Sequence, residues 1–491
     1  MENQQSNIDY NYEFSKSNRD REIVIFDKEF ILNLIHTDKE GNKRFNCKEQ
    51  KTFYKCNAFV IFNKEGKIID INTTHNHKGN TKKVKINLTK NNIKENININ
   101  DPFSNKPKKL YNNFISKPEN EFVPFKSVQR AIYDKINKII PKEVDSFMDI
   151  PEDHSYFYTL DKQAFLIKRT PEMLILMSKK QANILLANSE NVFFDGTFYC
   201  SPEPFYQLCI MRVFNEDMDM FHTVSYILLK DKTEKSYYNT FLVINEYIEN
   251  IFNKKLLIDY FHCDFEAAIA NAAESVWKDI TIKKCYYHYS QNLMRFIQKN
   301  FLEDFRDSEE AKILHKKCQF LAFIPVEFVP KVFNLIKKDN IPTFFKKFIN
   351  YFEKGYIKKN IDSWNYFNKL DHRTNNCVEG YNNMLNSNFN KKPSLFKLLF
   401  ILREDEAKIN KEFNYYNNKG YLNNHIKKFC KLAKSKDSVV NHYIKLTIDD
   451  IELLKKDNNW SDYKETHIWY EVVSKLVNVR EDEFIAQLNI I

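Results

Sequence analysis

Residues 191–200 read NVFFDGTFYC, in which three apolar strand formers, Val192, Phe193 and Phe194, run into a bare carboxylate, Asp195, and then Gly196. An unpaired charge at the edge of a core is costly. Glycine is also scarce, with only 7 in 491 residues, so Gly196 marks a backbone that something must approach closely. A second acid, Asp264, breaks the strand-like run KKLLIDYFHCD, and a third, Glu379, stands in HRTNNCVEGYNNMLN with Val378, Tyr381, Met384 and Leu385 at roughly helical spacing around it. Any one of these is as readily a surface carboxylate at the end of an element. Three carboxylates converging from two strands and a helix would repel one another unless cations lay between them. Hard oxygen donors suit Mg²⁺ or Mn²⁺. Two such ions can activate water or a 3′-hydroxyl and stabilise the leaving oxygen in phosphoryl transfer.

A second set of donors lies near the N-terminus. Cys47 and Cys56 precede short strand-like runs, and His75 and His77 close the stretch. Two thiolates and two imidazoles complete a tetrahedral Zn²⁺ site, whose binding energy can hold a small domain together. Eight residues separate the cysteines and one separates the histidines, unlike the common finger. Phe53–Tyr54, 58–62 and 68–71 read as strands, the last two joined by the Lys64–Lys67 turn. Between His36 and Leu110 there are 17 Lys/Arg against 7 Asp/Glu, a surplus equal to the whole net charge of +10. Such a block suits a phosphate backbone, or is a solvated lysine-rich linker. Residues 81–120, polar and without a sustained period, read as a basic linker with at most a short strand.

These donors need elements to hold them. KSVQRAIYDKINKII has helical spacing and FYTLDKQAFLIKRTPEMLILMSK alternates like a hairpin. ENVFFDGTF, FYQLCIMRVF and FHTVSYILLK are three strand-like runs, followed by a helix, a strand ending at Asp264, a second helix, then TIKKCYYHYSQNLMRFIQKN as strand and helix. This order predicts an α/β (α+β) fold with an RNase H-like core, in which Asp195 and Asp264 end neighbouring strands. The expected layout is a small β-rich zinc domain over 20–80, the linker over 81–120, the core over 121–400 with a helical insertion near 300–360, and a helical C-terminal region over 401–491. The polar, acidic start is no signal or transit peptide, and no apolar run reaches the roughly 18 residues of a membrane span. Nine scattered cysteines read as reduced thiols.

DGTF, the Pro204–Phe205–Gln207–Leu208 strand, HCDFEAAIANA, CYYHYSQNL and TNNCVEGYNN follow one another in the order seen in Mutator-like (MULE) transposases, which the chain resembles over about 120–400. The resemblance implies a DDE triad of Asp195, Asp264 and Glu379 holding Mg²⁺ or Mn²⁺, with a mainly helical insertion before Glu379. Cys285 and His288 match the family's C-x-x-H signature, which implies a part in ordering the active site or contacting DNA. Arg373 and Asn376, with Thr374 and Asn375, would cap the Glu379 helix and contact substrate strands. The basic N-terminal module resembles the FLYWCH and WRKY-related zinc modules, although Phe45 stands two positions ahead of Cys47 where FLYWCH proteins place an aromatic just before it. Together these imply a nuclear transposase that binds double-stranded DNA, element ends and target alike, as a homo-oligomer, and performs cleavage and strand transfer. The alternatives are a domesticated relative that regulates by sequence-specific DNA binding without cleavage, and a metal-dependent nuclease or RNase of another lineage.

Overall fold

The structure, a computed structural model, describes residues 10–17, 20–367, 376–389 and 391–419, short pieces between 444 and 455, and 461–477. Two compact units, Met1–Lys142 and Glu143–Ile491, make up the chain.

The first unit is a six-stranded antiparallel sheet in sequential order, β1 (Tyr12–Lys16), β2 (Glu22–Phe26), β3 (Phe30–Thr37), β4 (Lys43–Cys47), β5 (Phe59–Phe62) and β6 (Ile68–Asn72). Four consecutive residues of β2, Ile23 to Phe26, are buried because both faces of that strand are covered. Val24 and Phe26 join Leu32, Phe45, Val60 and Phe62 in one core, while Ile23, Ile25 and Ile31 meet Val84 and Leu88 of helix α1 (Thr81–Glu95) on the other face. Gly79 brings the chain in against Glu29 so closely that a Cβ would stand 2.6 Å from the Cβ of Glu29. Asn80 then caps α1, its side chain accepting from Lys83 N. Helices α2 (Pro107–Ile115) and α3 (Phe125–Ile139) close a small core of Ile93, Tyr111, Val128, Ile132 and Ile136.

Three expectations are corrected here. Residues 81–95 are helix rather than linker, since Val84, Leu88 and Ile93 suffice to seat an otherwise polar segment. Phe53 and Tyr54 lie in a turn, where Lys55 takes φ +48°, rather than in a strand. Helix α3, expected at the head of the core domain, belongs to the first unit.

The second unit is built on a seven-stranded mixed sheet. A hairpin of β7 (Leu166–Thr170) and β8 (Met173–Leu176) leads through α4 (Lys179–Ala187) to the meander β9 (Asn191–Thr197), β10 (Gln207–Asn215) and β11 (Met220–Leu229). Helix α5 (Glu234–Phe252), β12 (Tyr260–Cys263), α6 (Ala267–Val276), β13 (Thr281–Lys284) and α7 (Tyr286–Asp307) follow. Spatial order is β13-β12-β9-β10-β11-β8-β7, with β12 parallel to both β9 and β13 and the other pairs antiparallel. One core packs this sheet against α5 and α6 through Phe194, Phe241, Phe261 and Trp277. A second, aromatic core lies among α7, α8 (Glu309–Phe320), α9 (Val329–Ile336) and α10 (Lys346–Phe352). Helices α11 (Asn376–Ser387) and α12 (Leu395–Lys419) come next, and α13 (Asp462–Leu476) sends Trp469, Val473 and Leu476 into that second core.

Candidate metal centres

β9 and β12 run parallel with His262 opposite Phe193. Asp195 stands two residues further along β9, which runs on to Thr197, and Asp264 one residue past the end of β12, so the parallel register brings the two acids to about the same level. Helix α11 packs against β9 and β10 and supplies the third acid. Burial, the Asp264 charge and that of Glu379 push the Asp195 carboxyl up to about 8, against the Gly196 N–H that donates to Oδ1 at 2.9 Å. Asp264 is raised to about 6 by burial and by Glu266, although Glu266 N donates to its Oδ1 at 2.9 Å. Glu379 is raised by burial, and Asp264 adds to the shift. Each carboxyl thus senses another, and its Oε1 leaves Glu379 with a buried oxygen that accepts no hydrogen bond. Among the described residues the donor atoms of these three acids do not gather within 4.8 Å of one another, so the structure places them as electrostatic neighbours and not as a closed ligand set.

The surroundings restrain these acids. Lys232 Nζ stands 3.0 Å from Glu266 Oε1, and Tyr237, which receives a bond from Gln207 Nε2 at 2.8 Å, donates to Glu266 Oε2 at 3.3 Å. Gly196 leaves little room: a Cβ there would stand 3.0 Å from Gln207 Oε1 and 3.4 Å from Cys209 Sγ on the adjoining strand. The close approach is therefore made by β10. Asn382 Nδ2 is 3.4 Å from Asp195 Oδ2. His262 is buried, stacks on Phe193 at 4.2 Å and meets Asn191 Oδ1 at 3.1 Å.

Cys285 caps α7 and His288 lies in its first turn. The structure brings both to Glu379, the three donor atoms lying within 4.8 Å of one another. His288 Nδ1 is 3.6 Å from Glu379 Oε1, and burial holds the imidazole below its usual pKa although the carboxylate opposes this. No sequence spacing foretells this partner. Arg373 lies outside the described residues, and Asn376 begins α11 without a described side chain. Glu266 and Asn382 went unread in the sequence. Asn382 follows Glu379 by three positions, the spacing that places two residues on one helical face.

In the first unit Cys47, Cys56, His75 and His77 place their donor atoms within 4.8 Å of one another. Cys47 Sγ is 3.2 Å from His77 Nε2, Cys56 Sγ is 3.3 Å from His75 Nδ1, and the two ring nitrogens are 3.3 Å apart. Metal–sulfur bonds of about 2.3 Å and metal–nitrogen bonds of about 2.0 Å give tetrahedral edges of about 3.3–3.8 Å, so the four atoms fit Zn²⁺. His77 Nδ1 lies 3.0 Å from Lys78 O, which leaves Nε2 for the metal, and Phe30 stacks on His75 at 3.7 Å. The cysteines approach from β4 and the turn before β5, and the histidines from the segment after β6.

Among the described residues no helix is long and apolar enough to cross a membrane. Residues 191–292 match the family model of the MULE transposase domain. That stretch contains Asp195, Asp264, Cys285 and His288 and ends before Glu379, covering less than the resemblance read over 120–400. No curated protein matches the chain.

Proposed function

We propose that this chain is a divalent-metal-dependent DNA transposase of the MULE type, with an RNase H-like catalytic core and a DNA-binding zinc module of the FLYWCH/WRKY kind. The observation that carries the reading is the neighbouring placement of Asp195, within β9 two residues before its end, and Asp264, just past the end of the adjacent parallel strand β12, with the Glu379 charge acting on Asp195. The family match over the strands that bear both aspartates supports it. So does the sheet order, in which a three-strand meander is extended at β9 by two parallel strands.

In this reading Asp195, Asp264 and Glu379 hold Mg²⁺ or Mn²⁺. When bound, the ions supply charge stabilisation for the attacking and leaving oxygens of a phosphodiester. Burial and the Asp264 and Glu379 charges favour the protonated form of Asp195, and a divalent cation held there would offset that repulsion. The Glu266 backbone N–H donates to one oxygen of Asp264, and the other oxygen would be free to hold a cation. Asn382 lies against Asp195 on the side of α11. The Cys47–Cys56–His75–His77 site holds Zn²⁺ and keeps the basic first unit folded for DNA. The protein would work in the nucleus as a homo-oligomer that brings two DNA ends together.

The test is nicking of labelled element-end duplex with Mg²⁺ or Mn²⁺ by wild type and Asp195→Ala. Metal-dependent nicking lost in the variant is the expected result. Binding without nicking in both proteins would instead make the chain a DNA-binding regulator that keeps the fold alone.

A further inference from the structure

Helix α1 carries Lys83, Lys90 and Lys94, offset by seven and eleven positions. At 3.6 residues per turn these fall within about 20° of one helical face. At the N-terminal end of α1, Lys48 from the Cys47–Cys56 loop and Lys83 line one hollow of about 270 Å³. At its C-terminal end a cleft of about 570 Å³ opens between α1 and α3, lined by Lys90, Lys94, Arg130, Lys135 and Lys138. All of these residues lie within the first unit.

Carboxylates answer only part of this charge. Glu49 pairs with Lys83 at 3.2 Å, Asp20 with Lys94 at 3.5 Å and Asp134 with Arg130 at 3.9 Å. Lys90, Lys135 and Lys138 make no ion pair among the described residues. The cations also crowd one another: Lys48 is held below its usual pKa by burial and by Lys83 and Lys90, and Lys90 by burial and by Lys94. Packing gains nothing from such an arrangement, which an external polyanion would relieve.

We infer that the first unit carries a cation track for the phosphates of duplex DNA, running from the Cys47–Cys56 loop along α1 into the α1–α3 cleft. The deduction rests on the reading of the chain as a protein that acts on DNA, and it assigns the contact to a helix face beside the zinc site. From Lys83 to Lys94 the helix rises about 16 Å, which spans about five phosphates at 3.4 Å per step along one strand. A single small anion would call for converging donors. Here the donors form a line.

The experiment uses the full zinc-loaded chain and a 30-base-pair duplex of arbitrary sequence, with affinity followed from about 50 to 200 mM salt. The track variant is Lys90→Gln/Lys135→Gln/Lys138→Gln. A control of equal charge, Lys106→Gln/Lys108→Gln/Lys109→Gln, neutralises lysines at the start of α2. Three lost phosphate contacts lower the log–log salt slope by about 2.7, so wild type should lose about 40-fold more affinity than the track variant across that range. The control should keep the wild-type slope. Neutralising Lys90 removes a crowded charge, so zinc content and melting temperature should hold. An unchanged slope in the track variant, an equal fall in the control, or a preference for duplex RNA would overturn the assignment. The slope change without metal-dependent nicking would sink the transposase reading and leave the track standing, and nicking with an unchanged slope would do the reverse.

Discussion

Asp195→Asn should make the metal-free protein more stable, and increasingly so as pH rises. A raised carboxyl pKa means that the folded state holds a proton the unfolded chain releases. The stability this contributes is complete below the unfolded value of 3.8 and is lost as pH climbs to the folded value of about 8. Relative to a permanently neutral side chain, the wild-type deficit is at most about 1.5 kcal/mol at pH 5 and about 5 kcal/mol at pH 8, taking 1.36 kcal/mol per unit. The asparagine keeps the shape and removes the charge that Asp264 and Glu379 oppose. With roughly 2 °C of melting temperature per kcal/mol for a unit of this size, the gap between variant and wild type should widen by about 7 °C from pH 5 to pH 8. Thermal unfolding in EDTA measures it directly. Saturating Mg²⁺ should close the gap by stabilising wild type alone. Melting curves that shift in parallel with pH, or a variant less stable at pH 8, would refute the account of Asp195 as a like-charged, buried metal ligand.

Cys47→Ser should lower bound zinc from one per chain towards none, measured by metal analysis, and should melt the first unit several kcal/mol earlier, because metal binding there is also folding energy. Gly196→Ala should destabilise the second unit by about 1–3 kcal/mol through overpacking: Gln207 bonds Asp231 O and Tyr237 and cannot swing from the new methyl group. Chemical denaturation reads that change.

The aspartates were legible because each interrupts an apolar run, and such an interruption has few uses. The β9–β12 pairing makes them neighbours although 69 positions separate them, a relation that element order alone anticipates. Glu379 carried a weaker signal, a helical pattern within an asparagine-rich stretch, and its approach to His288 is a tertiary fact with no trace in local spacing. Helix α1 is not legible from periodicity, because its buried face is only Val84, Leu88 and Ile93 among lysines and asparagines. Phe53 and Tyr54 have strand propensity, yet the cysteine pair closes the loop too tightly for a strand, and Phe53 stands 95% exposed. Strands β1 to β3 lie ahead of the motif residues, and EIVIF in β2 is a plain buried-strand run.

How Glu379 is held at the sheet edge leads to a last prediction. Arg212 on β10 donates to Cys377 O at the start of α11 and to Phe221 O on β11, and its guanidinium lies 5.0 Å from the Tyr381 ring. Tyr381 and Tyr226 both donate to Asp405 Oδ2 on α12, Tyr381 at 2.7 Å. Burial, with the Asp405 charge beside them, holds both phenols well above their usual pKa, so they remain donors. Helix α11 is thus tied to β10, β11 and α12 within two residues of Glu379. Asp405→Asn keeps an acceptor oxygen and loses the charge, weakening two bonds worth about 1.5–3 kcal/mol each when charge-assisted. If the clamp positions Glu379, the variant should nick DNA with a lower kcat at an unchanged KM, assayed well below its own melting temperature. Arg212→Lys should fall further, because one ammonium cannot serve two carbonyls and a ring as the planar guanidinium does. Wild-type kcat in a measurably destabilised Asp405→Asn protein would show that the clamp holds the fold and leaves the carboxylate's position to α11 itself.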